Sequence, residues 1–414
     1  MAFVGGDTSC PCCFRPGLGL NRPTVCVPIG GLRTPSAKLD VIRQLLKVHG
    51  IGAYVQPMGD AHTSEYISDA DKRVEWLTGF TGSAGTAVVT ADKALFWTDG
   101  RYFKQAAEQL KGTGFELMKM NEPGVPDLEE WAKDAKLVVG VDPTLISLST
   151  AEEWSRKGCD AFKLVQHNLV DRAWGAAKPK RAASPLRMHG GARSGESVAS
   201  KIGRVAAALK EKGCTALVLN ALDQICWLFN LRGADIDCNP VFFAYAVLDL
   251  SAAAVHATLF LRALDDDVND RATQEAVAAH FVAEGCHCDG GATSASPAIA
   301  LKPYASFNAA TAARLAGCDG VGAQVMLERA TTTLAMAADV TADQRVLVDA
   351  SPVELFKAQK NHVERDGLER AGRKDAAAVI SYFAWLERTL AEGRPVSEAE
   401  GADEISARRS GMDG

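Results

Sequence analysis

Three places in the sequence carry residue types that catalysis or metal binding uses. The stretch 80-FTGSAGTAVVTADKALFWTDGRYF-103 holds a serine between glycines and an Asp-Gly-Arg. The run 59-GDAHTSEY-66 sets His62 near Asp60 and Glu65, and Asp265-Asp266-Asp267 is an acidic triplet. A serine on a Gly-x-Ser-x-Gly elbow is a nucleophile, and a glycine loop ending in Gly-Lys-Ser/Thr cradles phosphate. Gly82-Ser83-Ala84-Gly85 fits neither pattern. A calcium loop opening at Asp265 needs Gly at its sixth position and Glu at its twelfth; these are Asp270 and Ala276, so a solvated turn is expected. No His-Glu-x-x-His occurs, and a lone His beside two acids is expected to be structural. Cys10-Pro11-Cys12-Cys13 and Cys286-His287-Cys288 lack the paired spacing of a zinc site. Trp227, Phe229, Phe242, Phe243 and Tyr245 are expected in a core rather than around a cofactor. Residue chemistry alone assembles no active site.

The elements around these residues have clearer signals. In 34-TPSAKLDVIRQLLKVHG-50, Thr34 can cap a helix and Pro35 suits its first turn. Leu39, Ile42 and Leu46 form one stripe, and Gly50 ends the helix before a short buried strand at 51–57. Ala84 to Thr90 and Ala94 to Thr98 predict a hairpin turning at Asp92-Lys93. Asp99 or Thr98 would then cap a helix from about Arg101, with Tyr102, Ala106 and Leu110 on one face. The segments 46-LKVHGIGAYV-55 and 209-LKEKGCTALV-218 share Leu-Lys-x-x-Gly-x-x-Ala-x-Val, and Trp76-Leu77 and Trp227-Leu228 each precede a glycine turn. Two related α/β domains in tandem follow from this repeat. Segment 172–193 holds no acid and is expected as a solvated linker; Lys178-Pro179-Lys180-Arg181 within it also fits a nuclear-import signal. Residues 353–390 predict two amphipathic helices broken near Gly367 or Gly372, with Val379, Phe383 and Leu386 on one face of the second.

Bulk properties narrow the classes. A chain of 414 residues is long enough for two or three domains with real cores, and 47% hydrophobic with 23% charged residues is ordinary for a globular protein. A net charge of −6 argues against nucleic-acid and anionic-membrane partners, and no apolar run is long enough for a membrane helix. Eleven irregularly spaced cysteines suit a reducing compartment. Residues 1–33, with one acid and three arginines, are expected as a loose tail, with a composition also compatible with a transit peptide.

The runs 59-GDAHTSEY-66, 79-GFTGSAGTA-87, 97-WTDGRYFKQA-106, 168-NLVDRAW-174 and 222-LDQICWLFNLRGADIDCNPVFFAYA-246 resemble aminopeptidase P, the Xaa-Pro aminopeptidase of cytosolic type, from about residue 35 to about residue 405. The resemblance implies two creatinase-N-terminal-like domains and a C-terminal pita-bread domain. In such enzymes that last domain binds two divalent ions, usually manganese, through two Asp, one His and two Glu. The ions activate a water that releases the residue preceding proline. The stretches carrying those ligands follow the region matched here, so no catalytic or metal-binding residue is assigned, and substrate-binding residues are left open.

The expected fold is α/β: two tandem mixed sheets flanked by helices, then a helical stump of a truncated pita-bread domain. The boundaries expected are 1–34 tail, 35–170 first domain, 171–196 linker, 197–350 second domain and 351–414 stump. Asp349, Glu354, His362, Glu364 and Asp366 lie near the right region but are not expected to replace the missing ligands. The expected function is therefore the N-terminal part of an Xaa-Pro aminopeptidase, inactive by itself and without a cofactor. The alternative is a non-catalytic interaction module. Expected partners are proline-containing peptides for the whole enzyme and a homodimer or a full-length relative, with no nucleic acid and no membrane, in the cytoplasm. A stump would leave Phe383 and Leu386 without a partner.

Overall fold

The computed structural model describes residues 34–159, 162–250, 254–288, 296–308, 324–338 and 340–412. The cluster Cys10, Cys12 and Cys13, and the tail through residue 33, lie outside them.

The first helix, Pro35–His49, forms as its sequence dictates. The Thr34 hydroxyl accepts the Ala37 N–H, and Leu39, Ile42 and Leu46 are buried. At its end Gly50 takes φ 57°, a conformation glycine adopts without strain. There the Gly50 N–H reaches Lys47 O (3.2 Å) and the Ile51 N–H reaches Leu46 O (3.1 Å), the two bonds of a Schellman motif. The second copy repeats this residue for residue. Gly213 has φ 69°, and Gly213 N to Lys210 O (3.0 Å) and Cys214 N to Leu209 O (2.9 Å) close the Val198–Glu211 helix.

Each glycine stop aims the chain into the strand that seeds a sheet. The first sheet comprises β1 (Ala53–Pro57), β2 (Thr86–Thr90), β3 (Ala94–Thr98), β4 (Glu116–Lys119), β5 (Val139–Val141) and β6 (Phe162–Leu164), ordered β4-β3-β2-β1-β5-β6. A short antiparallel ribbon pairs β7 (Arg187–Met188) with β9 (Leu231–Arg232). The second sheet comprises β8 (Ala216–Leu219), β10 (Ala244–Asp249), β11 (His256–Leu261), β12 (His287–Cys288), β13 (Ala298–Pro303), β14 (Val325–Glu328) and β15 (Arg345–Val348), ordered β12-β13-β11-β10-β8-β14-β15. Without the edge strand β12 the two orders coincide, and so do the strand directions. The leading strand pairs antiparallel with the next (β1–β2, β8–β10) and parallel with the fifth (β1–β5, β8–β14). Apolar clusters cover both faces of each sheet, which explains why β2, β3 and β8 are nearly continuous apolar runs.

The chain ends in helices Pro352–Ala358, His362–Ala391 and Glu398–Ser410. The break expected near Gly367 or Gly372 falls at Gln359–Asn361 instead, and the long helix runs through both glycines. Asn361 caps it by accepting the Glu364 N–H, while Glu364 reaches back to the Asn361 N–H (2.9 Å). This capping box fixes the start, and an interior glycine costs only about 1 kcal/mol. No described helix is long and apolar enough to cross a membrane.

Candidate functional site

The glycine-rich corner has a packing role. A Cβ on Gly82 would lie 2.2 Å from Phe80 Cζ, and one on Gly85 would lie 2.3 Å from Phe96 Cζ. The corner is glycine because two phenylalanine rings, 4.8 Å apart, close over the backbone. Ser83 is tied to the Tyr102 hydroxyl at 2.6 Å. The hairpin forms as expected, with Val89 opposite Ala94, but the cap does not. Thr98 donates to Ala84 O (2.6 Å), and Asp99 accepts from the backbone and guanidinium of Arg101, so the helix starts at Phe103.

His62 sits where the two sheet units meet. Asp60 Oδ1 accepts the N–H groups of His62 and Ser64, both at 2.9 Å, and fixes the turn after β1. The buried ring donates from Nδ1 to Asn220 O (2.7 Å), so the neutral Nε2 accepts the Tyr304 hydroxyl (2.8 Å). Burial lowers the pKa of this histidine, and the nearby Arg181 cation acts in the same direction, against the opposing charge of Asp60. Asn220 in turn donates to Ala61 O (3.1 Å) and Thr331 O (2.7 Å).

Beside His62 lies a relay of charges. Arg181 donates to Asp71 Oδ1 (2.9 Å) and to the Tyr304 hydroxyl (3.3 Å). Asp71 also accepts from Arg73 (3.1 Å) and Ser68 (2.8 Å), while Arg73 and Lys178 both reach Asp171. Burial alone would raise the Asp71 carboxyl, but the guanidinium of Arg181, helped by Arg73, holds it down to about 2. The expectation of a solvated linker over 172–193 is thus corrected at Lys178, Arg181 and Ser184. Lys178 and Arg181 are stapled to the first unit, and Ser184 donates its N–H to Asp235 in the second. Two of the four residues of the nuclear-import pattern are thereby consumed. Backbone bonds complete the seam, among them Leu148 N to Thr332 O (2.9 Å) and Leu334 N to Ile146 O (2.8 Å). This arrangement holds two units in one orientation. Its acids and bases are engaged with one another, apart from Asp60 Oδ2, which is buried with no hydrogen-bond partner among the described residues.

The other candidates also have structural roles. Asp265 is buried, accepting Ala305 N (2.7 Å) and pairing with Arg262 (3.1 Å), which also holds Asp267 (2.8 Å). The expected solvated turn is therefore a partly buried ion cluster. Burial pushes the Cys286 thiol up to about 12, away from the thiolate a metal requires. Trp227, Phe229, Phe242 and Phe243 lie in the second unit's core, whereas Tyr245 stacks on Tyr304 and Phe307 at the seam. Glu364 is held by its capping box, Glu354 accepts from Gln224 and Lys357, Asp349 pairs with Arg329, and His362 and Asp366 are exposed. Among the described residues no three His, Cys, Asp or Glu gather as a metal site, so these residues do not fit a dinuclear centre. Sequence reading missed the seam role of Asp71, Arg181, Asn220 and Tyr304, because each meets partners about a hundred or more positions away and no local motif marks that meeting.

Comparison with known proteins follows the same division. Residues 39–172 and 177–364 each match the creatinase/prolidase N-terminal domain. A probable Xaa-Pro aminopeptidase P of Penicillium rubens is 35% identical over 387 residues, covering 91% of this chain and 59% of that protein. One of Neurospora crassa is 36% identical over 381 residues, covering 90% and 53%. The crystal structure of X-prolyl aminopeptidase from Caenorhabditis elegans, described as a cytosolic enzyme with a di-nuclear active site, superposes with a TM-score of 0.77 at 30% identity, covering 92% of this chain and 60% of that one. The chain thus spans between 53% and 60% of the length of these relatives. With two N-terminal domains in tandem and relatives of one kind along nearly its whole length, the chain belongs to the creatinase/prolidase family, on the side of Xaa-Pro aminopeptidase P.

Proposed function

We propose that this chain supplies the two front domains of an Xaa-Pro aminopeptidase, and that its 414 residues by themselves do not hydrolyse peptides. The whole enzyme would remove the residue preceding proline with two divalent ions, manganese by family resemblance, in the cytoplasm like its Caenorhabditis neighbour. The observation that carries this reading is the donor set. The described residues gather no metal site, while every acid and histidine near the helical end has a structural partner or faces solvent. The front domains would present and orient a catalytic unit through the rigid seam at His62. Calorimetric titration of the purified chain with manganese is expected to show no stoichiometric site tighter than millimolar, and uptake of two equivalents would overturn the reading.

A second reading, an interaction module that pairs with a copy of itself or with a longer relative, is favoured by one surface. Ile380, Phe383 and Leu390 are 68%, 56% and 53% exposed on one face of the long helix. Leu386, expected on that face, is half-buried. Sedimentation should then show concentration-dependent association that Phe383→Glu abolishes; a monomer at all concentrations would exclude self-pairing.

A further inference from the structure

A cavity away from the seam has the make-up of a ligand site. About 620 Å³ opens between the second unit and the first two turns of the His362–Ala391 helix. Its floor is apolar and aromatic, from Cys226, Trp227, Pro240 and Val241, with Leu368 on the opposite wall. Trp227 is 6% exposed, and its Nε1–H is buried without a partner among the described residues. Around the rim stand Arg193, Arg232, Lys357, Lys360 and Arg370, drawn from separate stretches of the chain. Only Asp223 and Glu364 line the cavity as acids. Asp223 pairs with Lys357 at 2.8 Å, and Glu364 is held in its capping box.

Four of these cations have no ion pair among the described residues: Arg193, Arg232, Lys360 and Arg370, of which Lys360 donates to Ala358 O (3.2 Å) and the three arginines offer guanidinium forks. Arg232 is also oriented in advance, because its Nη1 donates to Cys226 O (2.8 Å) and Leu231 O (2.9 Å), which leaves its other N–H groups for a ligand. In a chain with a net charge of −6, collecting five cations around one apolar floor creates a local field of the opposite sign. Guanidinium forks pair best with carboxylates and phosphates. The apolar floor selects the carboxylate, since a bare phosphate has nothing to place on Trp227, Val241 and Leu368.

We infer that this cavity binds peptides by a C-terminal carboxylate, with Arg193, Arg232 and Arg370 taking the anion and the floor taking the last apolar side chain. This site does not rest on the hydrolytic reading, because its test reads binding and not hydrolysis.

The test is calorimetry on the 414-residue chain with Ac-Ala-Leu-Ala-Phe carrying a free carboxylate, with its C-terminal amide, and with inorganic phosphate and ATP as competitors. The free acid is expected to bind at submillimolar Kd and the amide at least tenfold more weakly. Arg193→Ala and Arg370→Ala remove exposed side chains and leave the fold intact; each should weaken the acid at least threefold. Arg373→Ala, which removes a pair with Glu369 and does not line the cavity, should change nothing. Equal binding of acid and amide, displacement by phosphate or ATP as effective as by the peptide, or no binding at millimolar peptide would each overturn the proposal.

Discussion

His62 has acids beside it in sequence, yet its ring nitrogens engage a carbonyl 158 positions away and a phenol 242 positions away. That distance explains why the residue was legible as structural but its task was not: a seam between two units leaves no periodic trace. Because burial holds the folded pKa below the ordinary histidine value, the folded state takes up fewer protons than the unfolded chain. Stability from this residue is therefore present above about pH 6.5 and is lost as pH falls below it. Thermal unfolding midpoints should drop between pH 7 and pH 5, and His62→Gln should flatten that part of the curve. An identical slope in the variant would show that other groups carry it. Asp71 acts lower on the scale. With its folded value held to about 2, its contribution is complete above the unfolded value near 3.9 and disappears between about pH 4 and pH 2. Asp71→Asn strands Arg181, which has no other ion pair among the described residues, while Arg73 keeps Asp171, so a loss of roughly 3–5 kcal/mol in urea unfolding at pH 7 is expected. A loss under about 1 kcal/mol, the range of an exposed pair, would mean that the pair is more solvated than its geometry indicates.

Among the elements, those with a strong local signal were read correctly. The capped first helix, its glycine stop and the hairpin at Asp92-Lys93 each rest on contacts within a few residues. Errors arose where two local options competed. Asp99 offered a cap, but the adjacent Arg101 claimed its carboxylate. Gly367 and Gly372 suggested a break, but the Asn361 capping box starts the helix earlier and propagation absorbs both glycines. Apart from its chain neighbours and the helix's own backbone, no heavy atom of the described residues lies within 4 Å of a Cβ built on Gly372, so Gly372→Ala should raise stability by up to about 1 kcal/mol. Circular dichroism melting checks this, and a lower midpoint would indicate a break at that position. The reverse is expected in the glycine corner. Gly85→Ala drives a methyl into the Phe96 ring, and overpacking of this kind costs roughly 1–3 kcal/mol.

At the scale of the whole molecule, one repeated decapeptide foretold an architecture. The same glycine stop feeds the same strand position in two sheets with matching order and direction. What the sequence could not display is how the copies dock, because Asp71, Arg181, Asn220 and Tyr304 converge only after both have folded. Nor could it display the cationic rim around Trp227, whose members come from separate stretches. We propose that these units carry the architecture of an Xaa-Pro aminopeptidase and not its chemistry. The most direct test is release of free arginine from Arg-Pro-Pro by the purified 414-residue chain, with and without manganese. No release above the buffer blank is expected under either condition, and manganese-dependent release of arginine would overturn the proposal.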